Sequence, residues 1–175
     1  KFQPYYLGYK DKETFREHSF LATRNSEGLI LAASYKSGIY KFNTKSEDFE
    51  PFPIPEIDKN NIIQLFFDSS DNLWIVNDKN EIFRLKIKSD KITEKQKITP
   101  PADFLHLCYD KKEKIWFQYE NYTLGYYSIQ TEKFSDWGSK PYGELNEVLE
   151  NEGNILFATN TGLIQYNKHT KTESI

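Results

Sequence analysis

Short apolar runs recur along this chain at a nearly fixed interval, each opened by a turn residue. The four runs are Gly28-Leu29-Ile30-Leu31-Ala32-Ala33, Asn72-Leu73-Trp74-Ile75-Val76-Asn77, Lys114-Ile115-Trp116-Phe117-Gln118-Tyr119 and Asn154-Ile155-Leu156-Phe157-Ala158-Thr159. Their first apolar residues, Leu29, Leu73, Ile115 and Ile155, are spaced by 44, 42 and 40 positions. A second anchor keeps step: Ile39-Tyr40-Lys41-Phe42, Ile82-Phe83-Arg84-Leu85, Leu124-Gly125-Tyr126-Tyr127 and Leu163-Ile164-Gln165-Tyr166, spaced by 43, 42 and 39. A third lies five residues before the first, at Arg24, Asp68, Asp110 and Glu150, with short apolar runs upstream of it at 20–21, 62–67, 104–109 and 145–149. Three anchors in register over four copies establish an internal repeat.

Each copy predicts four short strands: the upstream run, the anchor run, the alternating second anchor, and a fourth strand at 49–52, 92–98, 133–135 and 172–175. Between them stand hairpin residues such as Asn25-Ser26-Glu27-Gly28, Asp71-Asn72 and Glu152-Gly153-Asn154. No stretch keeps a helical period over ten residues, and β-branched and aromatic residues dominate, so the chain reads as all-β. A period near forty with four strands and a Trp on the second is the pattern of a β-propeller blade. Because a lone blade cannot bury both faces, Trp74 and Trp116 are expected to pack between blades. The boundaries are read as one segment, 1–175, with repeats at 16–57, 58–100, 101–143 and 144–175. Residues 1–15 are read as an outer strand from a preceding blade, with pairing to 172–175 in ring closure as the alternative.

Composition narrows the function. Lysine and arginine number 23 against 26 acidic residues, a formal charge of −3, which is no footprint for nucleic acid or an anionic membrane surface. The single cysteine, Cys108, excludes an internal disulfide. Apolar runs of a few residues are too short to span a bilayer as a helix. The chain contains no methionine and shows no signal peptide, so it is read as a mature or cut-out segment of something longer.

Asp68-Ser69-Ser70-Asp71-Asn72-Leu73-Trp74-Ile75 followed by Glu81-Ile82-Phe83-Arg84-Leu85 resembles the D-x-x-G-N-L-W-I-G-T … G-L-x-R-Y repeat of two-component regulator propellers. The stretch from Gly153 to Tyr166 is the nearest copy, Asp110 with Ile115-Trp116 a weaker one, and Arg24 to Phe42 a degenerate one. The resemblance covers Ser19 to Ile175. It implies a periplasmic sensor region of a hybrid two-component histidine kinase of the Bacteroides type, anchored through its parent in the inner membrane. Family sensors carry many more blades, usually in two propellers, followed by a membrane span and kinase parts. Here there are four blades and no kinase region, so a self-associating piece is expected, with a homodimer through open blade edges as one partner and an oligosaccharide or protein ligand as another. No cofactor and no metal is expected.

Strand order sorts the loops. The second-to-third loops and the blade connectors emerge on one face, which gathers Tyr35, Tyr119, Tyr122, Trp137 and Tyr142 with Asp58, Asp78, Asn80 and Glu120; the other face carries no aromatic residue. Aromatic plates beside carboxylates and amides suit stacking on sugar rings and hydrogen bonding to hydroxyls. The candidate ligand-binding residues are therefore Tyr35, Asp78, Tyr119, Tyr122, Trp137 and Tyr142. Catalytic patterns fail: His18, His106 and His169 occupy non-equivalent repeat positions, none with metal-ligand spacing. Cys108 reads as a small buried hydrophobe, although His106 lies two residues away on the same strand face. Asp68 to Asn72 lacks the glycine and distal glutamate of a calcium loop and reads as a hairpin turn. The resulting expectation is a non-catalytic sensor segment. The alternatives are a propeller enzyme of the lyase or lactonase type, whose only polar first-strand candidates would be His106, Gln64, His18 and Glu147, or a purely structural scaffold.

Overall fold

The computed structural model describes residues 20–34, 38–54, 57, 62–138 and 143–174. The 1–15 segment, Tyr35 and Tyr142 lie outside the described residues. Within them the chain is all-β, with four four-stranded antiparallel sheets in which strand order follows chain order, each a propeller-type blade. Blade 1 is β1 (Phe20–Arg24), β2 (Ile30–Ser34), β3 (Gly38–Asn43) and β4 (Asp48–Pro51). Blade 2 is β5 (Ile62–Phe67), β6 (Asn72–Asn77), β7 (Ile82–Lys88) and β8 (Lys91–Ile98). Blade 3 is β9 (Phe104–Tyr109), β10 (Lys114–Tyr119), β11 (Leu124–Ser128) and β12 (Lys133–Gly138). Blade 4 is β13 (Leu145–Asn151), β14 (Asn154–Thr159), β15 (Gly162–Asn167) and β16 (Thr172–Ser174). The chain divides into two compact units, Lys1–Thr99 with blades 1 and 2 and Pro100–Ile175 with blades 3 and 4.

Strand pairing corrects the alignment of the outer copies. Phe67 pairs with Leu73 and Tyr109 with Ile115, and the equivalent pairs are Arg24 with Ile30 and Glu150 with Ile155. The counterparts of Asp68 and Asp110 are thus Asn25 and Asn151, one residue beyond the expected Arg24 and Glu150, and Ile30 rather than Leu29 matches Leu73. The second anchor holds, since Ile39, Ile82, Leu124 and Leu163 pair with Ala33, Val76, Gln118 and Ala158.

This corrected position explains the first turn of each blade. Asp68 is buried, and its Oδ1 accepts from the backbone N–H groups of Ser70 (2.9 Å) and Asn72 (3.0 Å), while its Oδ2 accepts from Trp74 Nε1 at 2.8 Å. Asp110 does the same for Lys112, Glu113 and Lys114, with Trp116 Nε1 farther off at 3.4 Å. Where leucine replaces the Trp, at Leu31 and Leu156, asparagine replaces the carboxylate. Asn25 Oδ1 still takes the N–H of Leu29 at 2.8 Å. One oxygen closes the turn, and the second is needed only where an indole N–H must be satisfied. The third turn residue adopts positive φ at Gly28 and Asp71, whereas blade 4 closes with a two-residue turn at Glu152-Gly153, both at positive φ.

Each unit has its own core. In unit 1, Leu31 and Ala33 of blade 1 pack with Leu65, Leu73, Ile75 and Leu85 of blade 2. Asp71 ties the turns together by accepting from the Ser26 N–H (2.9 Å) and hydroxyl. In unit 2, Trp116 is fully buried and meets Phe157 of blade 4 edge-on at 5.2 Å, as expected of an inter-blade residue. Leu145, Val148, Ile155 and Ile164 complete that cluster. Gln118 is also fully buried: its Nε2 donates to Gly143 O (2.7 Å) and its Oε1 accepts from Leu145 N (2.9 Å), fixing the connector into blade 4.

Candidate functional site

A cleft in unit 2 lies where the β10–β11 loop, the connector preceding β9 and the end of β12 meet. It holds about 680 Å³ and is lined by Pro101, Ala102, Asp103, Tyr119, Glu120, Asn121, Thr123, Leu124, Asp136 and Gly138. That size suits a small organic ligand. Backbone hydrogen bonding shapes it. Tyr119 N donates to Thr123 O (3.0 Å), Tyr122 N to Tyr119 O (2.9 Å), and Glu120 N to Asp103 O (3.4 Å), which joins loop to connector. Asn121 Oδ1 accepts from both the N–H (3.0 Å) and the hydroxyl (2.6 Å) of Thr123.

The wall is aromatic at its base. Tyr119 is only 6% exposed and stacks on Phe117 with centroids 6.3 Å apart and an interplanar angle of 6°. Phe117 in turn meets Phe104 edge-on. The Tyr119 ring crosses β11 at Gly125, where a Cβ would lie 2.8 Å from both Cε2 and the hydroxyl oxygen. Glycine is thus what leaves room for the ring. Burial, then the nearby Asp136 carboxylate, raise the Tyr119 pKa, so the phenol stays protonated.

A bulge builds the opposite wall. Leu124 pairs with Gly138 and Gly125 with Asp136, so Trp137 has no partner across the ladder. The extra residue re-aims the side chains around it. Asp136 lines the cleft, while Trp137 packs against Trp116 (5.1 Å), Phe157 (6.0 Å) and Tyr166 (4.8 Å).

The structure therefore distributes the six sequence candidates. Tyr119 lies in the cleft. Tyr122 sits at the tip of the same loop, 43% exposed and at positive φ, and does not line the cleft. Trp137 joins the aromatic cluster between blades 3 and 4. Asp78 belongs to unit 1, exposed in a loop held by buried Asn77, whose Oδ1 accepts from Lys79 N and Glu81 N, each at 3.0 Å. Tyr35 and Tyr142 are outside the described residues. Sequence reasoning placed Asp103, Glu120 and Asp136 on this face but did not single out the first and last; their signal was position in the two connectors that flank the Tyr119 loop.

Elsewhere, polar groups are structural. Cys108 lies across the ladder from Trp116 and packs in the same cluster; burial pushes its thiol up to about 12. His169 is exposed beside the Glu152-Gly153 turn. Among the described residues no group of three His, Cys, Asp or Glu side chains is placed to hold a metal ion, and no helix is long and apolar enough to cross a membrane.

No family model matches the sequence, and no curated protein matches it. Solved structures do. Two structures of the extracellular domain of BT4673 from B. thetaiotaomicron, assigned in one to a hybrid two-component system and in the other to a one-component system, are 19% and 18% identical. They cover 89% and 98% of this chain and 21% and 22% of that one, with TM-scores of 0.62 and 0.68. The extracellular domain of BT3049 from the same organism, assigned to a hybrid two-component system, is 18% identical over 83% of this chain and 21% of that one, with a TM-score of 0.59. An inactive virginiamycin B lyase from Staphylococcus aureus with quinupristin is 22% identical over 90% of this chain and 53% of the lyase, with a TM-score of 0.58. The chain spans about a fifth of the length of the Bacteroides domains it matches. What it shares with all of them is the fold, a series of four-stranded β-propeller blades.

Proposed function

We propose that this chain is part of the extracytoplasmic sensor region of a two-component signalling protein, and that it recognises its ligand at the unit 2 cleft without chemistry of its own. The observation that carries this reading is the cleft itself. It lies among the second-to-third loop and the connectors of blade 3, and it combines a buried aromatic base, apolar Pro101 and Leu124, and the polar residues Asp103, Glu120, Asn121 and Asp136. The Bacteroides neighbours, extracellular domains assigned to signalling systems, support the setting. Periplasmic location and a membrane-anchored parent follow from the same reading. The ligand is a carbohydrate or a partner surface.

The test is a thermal-shift screen of the full chain against saccharides and short peptides, with mass spectrometry of recovered ligand. A ligand at a hundredfold excess over Kd stabilises by about 2.7 kcal/mol, a readable rise in Tm. The reading expects a stabilising compound that is recovered intact and whose effect falls in Asn121→Ala. Turnover of the compound would move the assignment to the lyase or lactonase class. A panel with no stabilising compound would leave a scaffold role and overturn ligand recognition.

A further inference from the structure

We propose that two copies of this chain associate head to tail, the outward face of blade 4 in one seated on the outward face of blade 1 in the other. The repeat register carries the inference. Within each unit the first blade offers the second the same positions. Leu31 and Ile39 of blade 1 pack with Leu73, Ile75 and Leu85 of blade 2, and Trp116 and Leu124 of blade 3 pack with Ile155, Phe157 and Ile164 of blade 4. Strand pairing puts Leu156 and Leu163 of blade 4 at these offering positions, and Leu149 lies across the ladder from Leu156 as Cys108 does from Trp116. Alternating with Ile155, Phe157 and Ile164, the three leucines look away from blade 3.

Exposure sets this face apart. Ile39, Ile82 and Leu124 are 6%, 1% and 0% exposed, whereas Leu163, the fourth of that series, is 57% exposed and Leu149 is 44%. A repeat that ends its stack in solvent carries a polar outer face, and blade 4 carries leucines instead. Blade 1 presents the counterpart. Its receiving positions are Ile30, Ala32, Tyr40 and Phe42, equivalent to Leu73, Ile75, Phe83 and Leu85 of blade 2. They alternate with Leu31 and Ile39 and so look away from blade 2. Ile30, Tyr40 and Phe42 stay partly exposed where Leu73, Phe83 and Leu85 are buried. The chain thus carries one offering and one receiving face of the kind its own blades already seal against each other, and a second copy continues both interfaces in the same register. Eight blades from two copies fall within the range in which propellers close, which leaves neither face open.

Light scattering of the full chain after size exclusion, from low micromolar to near-millimolar concentration, tests this. The proposal expects the mass of two chains, falling towards one on dilution. Leu163→Glu on blade 4 and Phe42→Glu on blade 1 should each weaken association about tenfold or more, because each places a charge where an apolar side chain is to be covered. Far-ultraviolet circular dichroism shows whether each variant is folded, and Leu149→Glu and Ile30→Lys are second variants on the same two faces. Leu105→Glu, at a residue 45% exposed on the first strand of blade 3, should leave the mass unchanged. A mass of one chain at every concentration would overturn the proposal; the blade 4 face would then be met by its own chain or by another protein. Association that is lost in Leu163→Glu but kept in Phe42→Glu would mean that two blade 4 faces meet, and would overturn the head-to-tail arrangement.

Discussion

Replacing Asp68 by alanine isolates the device that couples each Trp-bearing blade to its turn. The carboxylate satisfies Ser70 N, Asn72 N, the Asn72 amide and Trp74 Nε1, and Trp74 is fully buried, so its N–H cannot turn to water. A buried donor left unsatisfied costs about 1–3 kcal/mol, and the two partly exposed turn N–H groups add about 0.5 kcal/mol each, so Asp68→Ala should cost about 3 kcal/mol. Asp110→Ala should cost less, about 2 kcal/mol, because its indole bond is already long at 3.4 Å and little is lost there. Urea unfolding followed by far-ultraviolet circular dichroism reads both, the midpoint moving with an unchanged m-value. A double-mutant cycle gives the decisive number: in a Trp74→Phe background the cost of Asp68→Ala should fall by about 1–2 kcal/mol, since no indole remains to orphan. A coupling of zero, or Asp110→Ala costing more than Asp68→Ala, would refute the role assigned to the second oxygen.

Further outcomes follow from unit 2. Gly125→Ala should drive a Cβ into the Tyr119 ring and the Ser135 carbonyl (3.2 Å), costing about 1–3 kcal/mol and reshaping the cleft; urea melts and ligand titration check it. Gln118→Leu leaves the Leu145 N–H without its acceptor, so hydrogen exchange at that amide should accelerate while Val148 changes little. Glu150 is pushed up by burial, but hydrogen bonds from Lys168 and the charge of Lys114 outweigh this and hold its pKa below the ordinary value. Its contribution to stability is therefore complete above the unfolded glutamate pKa of about 4.3 and is lost as pH falls below it through the folded value. Glu150→Gln should flatten that acid limb in denaturant melts at several pH values. With its thiol near 12, Cys108 should react with Ellman's reagent at pH 8 orders of magnitude more slowly in the folded chain than in urea.

The blade repeat was legible because strand alternation and turn chemistry recur. Register in the outer copies was not. The run Leu29 to Ala33 is apolar at every position, so alternation gives no phase, and only the pairing of Arg24 with Ile30 settles it. Blade 4 shortens its turn to Glu152-Gly153, so counting back five positions from Ile155 lands on Glu150 instead of Asn151. The place of Tyr119 at the start of the β10–β11 loop was legible from strand order alone. Trp137 was not, since no local signal announces that a bulge across from Leu124 and Gly125 gives it to the aromatic cluster and turns Asp136 to the cleft. The covariation of Asp with Trp and of Asn with Leu became readable only once that register was corrected.

The central claim is that this chain recognises a ligand at the cleft between the β10–β11 loop and the end of β12. A crystal structure of the full chain with the strongest compound from the screen tests it most directly. The account predicts the ligand against Tyr119, within hydrogen-bond distance of its hydroxyl and of at least one of Asp103, Glu120 and Asp136. A ligand seated instead at the other end of unit 2, at the turns that Asp110 and Asn151 begin, would contradict it.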